Sequence, residues 1–156
     1  MGVPAVLCAG DWLQVVLGAL VASQMCLAAV IDAREHRFPN MLAILFALSC
    51  ALFSVSLGGV GGLAISVFQA AACCLPLVGF ETVWRRRHDG ASGLGMGDVK
   101  YLFASMLVSP FGAMCAFALG LIALAGTGLL CGKRTLPLLP FVVGGNAVLF
   151  LAANVL

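Results

Sequence analysis

Charge is what this sequence has least of. Only 9% of its 156 residues are charged, whereas 63% are hydrophobic, and the mean hydropathy is +1.15. A soluble domain carries about a quarter charged residues, so a water-soluble fold is excluded. The net charge of +2 is too small and too localised for a nucleic-acid partner. Short alternating apolar and polar segments are also missing, which excludes a transmembrane β-barrel. What remains is a set of long apolar runs, and in lipid these are helices, because a helix satisfies its own backbone groups. The sequence predicts an all-α, polytopic integral membrane protein.

Other absences narrow the chemistry. The seven cysteines lie mostly inside apolar runs without any CxxC spacing. They read as small packing residues, neither a disulfide framework nor a zinc site. His36 and His88 stand in loops without ligand spacing, so no metal is expected, and no organic cofactor either. The first Lys or Arg is Arg34, so the first apolar run lacks the basic region of a cleavable signal and is expected to stay as a span. No internal repeat of the kind that builds many transporters is present.

A span needs about 20 apolar residues to cross roughly 30 Å of hydrocarbon. Residues 12–31, 41–57, 60–80 and 138–156 each form such a run. The stretch 99–130 is too long for one span and is interrupted by "SPFG" at 109–112. The positive-inside rule decides how often it crosses. If it crosses twice, all eight basic residues fall on one side. If it crosses once, Lys133 and Arg134 are stranded on the other. The expectation is one domain of six spans, over 12–31, 41–57, 60–80, 98–109, 111–130 and 138–156, with three basic loops in the cytoplasm. The fourth is the short one. It either borrows residues from Gly95 onward or sits in a protein-lined region.

In this topology Asp32, at the end of "AAVIDAREHRFPN", and Asp98, in "GLGMGDVKYLF", share a side and a depth although 66 residues separate them. Each has a plain structural reading. Asp98 suits a helix N-cap, and Asp32 an interfacial pair with Arg34 or Arg37. As a pair they have another use. Two carboxylates within a few ångströms share one proton, so that one serves as base and the other as acid. That is the minimal equipment for activating water against an amide. Gly95 and Gly97 leave the backbone open for a sharp turn and a close approach.

"GMGDVK" at 95–100 resembles the GxGD motif of the type IV prepilin peptidases, membrane aspartyl proteases. "DAREHRFPN" at 32–40 resembles their companion motif, and "PLLPF" at 137–141 is loosely similar to the Pro-Phe stretch before their last span. The resemblance implies that Asp32 and Asp98 are the catalytic pair, supported by Gly95, Gly97, Lys100, Arg34, Pro39 and Asn40. It implies a location in the bacterial inner membrane, with the site at the cytoplasmic face. The implied substrate is a prepilin or pseudopilin, cut just before its apolar helix. Larger members carry a cytoplasmic insertion with paired CxxC motifs and also methylate the new N-terminus. This chain has no such insertion and no CxxC, and it is similar to the short protease-only form of tight-adherence (Flp-type) pilus systems.

The remaining polar residues have lesser roles. Arg85, Arg86 and Arg87 are expected to fix topology and meet anionic lipid. Glu35, Glu81 and Asp89 are weak candidates for guiding a basic leader. Lys100 either snorkels to the interface or uses its charge to favour the base role of Asp98. Gln24, Gln69 and Asn146 are expected to hydrogen-bond between helices, and Gly120, Gly126 and Gly128 to let helices pack closely. Two rival readings are a small proton-coupled transporter using the aspartates as a relay and a non-catalytic assembly protein. The first prefers carboxylates near the midplane and repeat symmetry, and neither is evident.

Overall fold

In a computed structural model the described residues are 9–35, 38–87, 95–131 and 136–155. His36, Arg37, His88, Asp89, Lys133 and Arg134 lie outside them. The described residues form five helices and no strand: α1 (Ala9–Glu35), α2 (Asn40–Arg87), α3 (Met96–Met106), α4 (Pro110–Cys131) and α5 (Leu139–Val155). Trp12–Glu35, Asn40–Arg87 and Pro110–Leu130 are long and apolar enough to cross a membrane. Large apolar side chains face outward, with Phe68 76% and Leu130 88% exposed. Lipid tails accept such a surface and water does not.

The 48 residues of α2 would extend about 72 Å as one straight helix, more than twice a hydrocarbon core. The chain does not run straight. Gly59 has φ 67° and ψ −173°, a left-handed value that glycine adopts without penalty. Two arms result, 40–58 and 60–87. They run back along each other, since Asn40, Ala43 and Ala47 of the first share a cavity wall with Val78 and Cys74 of the second. Helix α1 lies antiparallel to the first arm. Gln14 Nε2 donates to the Ser56 carbonyl at 3.0 Å, and Gln24 Nε2 to Ser49 Oγ at 3.1 Å.

Helix α3 has 11 residues, about 16 Å of rise. It is shorter than the expected 98–109 at its far end and begins earlier, at Met96. Val99, Tyr101, Leu102, Ala104 and Met106 are buried on it, so protein surrounds the short helix. Tyr101 is clamped between two rings: Phe46 stacks at 5.2 Å and 17°, and Phe38 meets it edge-on at 6.1 Å. The "SPFG" interruption starts α4. Ser109 Oγ accepts the Gly112 N–H at 3.2 Å and Pro110 takes the first helical position, where its missing N–H costs nothing.

Helices α4 and α5 meet backbone to backbone. A Cβ on Gly120 would lie 2.9 Å from the Val142 nitrogen, and one on Gly145 would lie 2.9 Å from the Ala116 carbonyl oxygen. Gly126 does not share that role, because a Cβ there meets nothing within 4 Å. Two further expectations are corrected. Asn146 Nδ2 donates to Val142 O of its own helix at 3.2 Å, the local bond open to a short amide side chain. Gln69 is exposed, on the outward side of its arm.

Candidate active site

Asp32 ends the buried face of α1 and is 7% exposed. Its Oδ2 accepts the backbone N–H of Leu139 at 3.0 Å. Leu139 is the first residue of α5, where an N–H has no partner within its own helix. A carboxylate from α1 therefore caps α5, at the helix end that favours negative charge. The pairing with Arg34 is not seen. Arg34 is exposed, and among the described residues Leu139 supplies the hydrogen bond that reaches Asp32.

Asp98 is not the N-cap of α3, as the sequence had suggested. Gly95 holds that position, with φ −65° and ψ 134°, and Asp98 is the third helical residue. Its side chain folds back over the cap. A Cβ on Gly95 would lie only 2.8 Å from Asp98 Oδ2, and the Gly95 backbone N–H hydrogen-bonds to the carboxylate. This is one half of a capping box, with glycine in the position where a side chain would reciprocate. Gly95 is thus required by the space that Asp98 occupies.

The two carboxylates line one cavity of about 310 Å³ together with Phe38, Gly95, Met96, Gly97 and Lys100. Asp98 lies within electrostatic reach of Asp32. Gly97 brings the loop before α2 against α3, since a Cβ there would lie 2.9 Å from Phe38 Cβ. One turn on, Lys100 Nζ donates to Asn40 Oδ1 at 2.7 Å. Lys100 therefore ties α3 to the first residue of α2. Pro39 closes that same corner, its carbonyl accepting the Ala43 N–H at 3.0 Å.

The sequence that carries both corners is matched by a family model. The model of the type IV leader peptidase family covers residues 19–153. The chain belongs to that family. No curated protein and no solved structure matches it. Membership makes the chain a protease, and its apolar helices place that protease in a membrane.

Within this leader peptidase fold the other candidate residues take different positions. Glu35 is exposed on the last turn of α1 and lines neither cavity. Glu81 is 1% exposed and holds Arg85 Nε at 2.8 Å. It faces inward because the second arm turns that side toward the bundle, so a substrate would meet it only after that pair had opened. Among the described residues no group of three or more His, Cys, Asp or Glu is placed to hold a metal ion. Two contributors escaped sequence reasoning. Leu139 acts through its backbone, which residue type does not reveal, although the prolines of "PLLPF" marked the corner. Phe38 stood inside the "FPN" stretch but gave no sign that Gly97 would press against it.

Proposed function

We propose that this chain is a membrane aspartyl endopeptidase that removes the cytoplasmic leader from type IV prepilins or pseudopilins, with Flp-type pilins as the setting. Asp32 and Asp98 act as the acid–base pair at the cytoplasmic face of the inner membrane. The observation that carries this reading is their joint lining of a single cavity. Two carboxylates so near hold one proton between them. The unprotonated member takes a proton from water, and the water oxygen attacks the scissile carbonyl carbon. The protonated member hydrogen-bonds the carbonyl oxygen, and a proton then passes to the leaving amine as the C–N bond breaks. The scissile segment must be extended, because a helical carbonyl is already bonded. A glycine before the cut suits that need through its low helix propensity.

The fixed Asp32 supports the same reading. With Oδ2 held by Leu139, the carboxylate has one orientation and leaves its other oxygen for the cavity. The test is co-expression with a candidate prepilin, following leader loss by gel shift. Asp32→Asn and Asp98→Asn should each slow cleavage on the order of a thousandfold. Asparagine keeps an oxygen for the Leu139 N–H, so the α5 cap survives while the acid–base function does not. Leader loss persisting in both single variants would remove the two-aspartate mechanism.

A further inference from the structure

A second concavity, of about 560 Å³, opens between the two arms of α2 and helix α3. Met96 and Lys100 line both this groove and the carboxylate cavity, so the two are continuous. We propose that the groove binds the apolar residues on the carboxyl side of the scissile bond, and that Ala43, Ala47 and Cys74 set how large the first of them can be. This rests on the endopeptidase reading and adds to it a site for substrate selection.

The chemistry of the walls points to that occupant. Ile44, Val78, Val99 and Phe103 line the groove, so a charged side chain entering it would lose its hydration without a partner. Its two polar residues, Asn40 and Lys100, bond each other, and Lys100 stands at the junction with the carboxylates. A strand with its scissile amide at the aspartates advances about 3.3 Å per residue, which carries the next side chains past Lys100 and into the groove. The concavity exists because small side chains stand one turn apart at 43 and 47, with Cys74 opposite them. The volume lies within the roughly 300–1,000 Å³ of ligand pockets.

The test compares cleavage by the full-length chain in detergent of two prepilins differing only in the first residue after the cut, phenylalanine or alanine. Unmodified enzyme should cut both, and Asp98→Asn neither, which tests the endopeptidase reading separately. Ala43→Leu should lower kcat/KM for the phenylalanine substrate relative to the alanine one by roughly tenfold. Equal slowing of both substrates, or no change in either, would overturn the groove assignment while leaving the aspartate mechanism standing. Should Ala43→Leu fail to fold, a benzoylphenylalanine at the same substrate position, bound to Asp98→Asn, decides. Adducts on the two α2 arms support the groove, whereas adducts confined to lipid or to α4 and α5 overturn it. If the unmodified chain cuts neither prepilin, the endopeptidase reading fails and the groove assignment falls with it.

Discussion

Two glycine-rich stretches, "GGVGG" at 58–62 and "GLGMGD" at 93–98, look alike on paper and serve opposite purposes. At the first, added Cβ atoms on Gly58, Gly61 and Gly62 would meet nothing within 4 Å. Only Gly59 is constrained there, by its φ of 67°. At the second, Gly95 and Gly97 have ordinary backbone angles to offer but no room, with the nearest atoms at 2.8 and 2.9 Å. One stretch turns the chain, while the other lets two corners and a carboxylate press together. Glycine content alone does not mark a site; what the absent Cβ would touch does.

Among the glycines, the largest expected effect therefore falls on Gly95 and Gly97. In Gly95→Ala the new methyl group displaces the Asp98 carboxylate, the far end of a short side chain that can rotate away. Folding should change little, while kcat falls about a hundredfold, the cost of misplacing a reacting group by an ångström. Gly97→Ala presses on Phe38 Cβ, which cannot rotate away, so stability and activity should fall together. Unfolding in detergent beside the leader-loss assay checks this. If Gly95→Ala retains full activity, the close fit around Asp98 has no catalytic meaning.

A smaller effect separates two uses of Lys100. If it acts by holding Asn40, Lys100→Gln, which still donates, should retain most activity, and Lys100→Met should lose about tenfold through a misplaced α3. Both should keep the pH profile of the unmodified enzyme. Equal losses in the two variants, with a displaced pH profile, would instead assign Lys100 an electrostatic action on the dyad.

These contrasts show what the sequence could and could not reveal. Helical class followed from composition, because so few charges cannot clothe a soluble surface. Asp32 and Asp98 stood out because a carboxylate at the edge of an apolar run is costly without a purpose. Asp98 suits the N-cap of α3 on sequence alone, whereas in the fold it serves a glycine cap from the third helical position. Lys100 suits either the interface or the Asp98 carboxylate on sequence alone, and only packing reveals its bond to Asn40. Glu81 suits leader guidance on sequence alone, because the apolar stretch around it hides which side of the arm faces the bundle. The Leu139 donor is a backbone group, and no reading of side chains would find it.

The smallest effects return to the 58–62 stretch. Gly62→Ala adds a methyl group into open space within a helix, so it should stabilise the fold by about 0.5–1 kcal/mol through helix propensity. Gly59→Ala forces a Cβ into the left-handed region and should destabilise by about 1–2 kcal/mol. Neither lies near the carboxylate cavity, so both should leave the rate of leader loss unchanged once folded. Thermal unfolding in one detergent gives both signs side by side. Were Gly59→Ala as stable as Gly62→Ala, the reversal of α2 would owe nothing to the left-handed residue, and helix packing on either side would have to hold the arms together unaided.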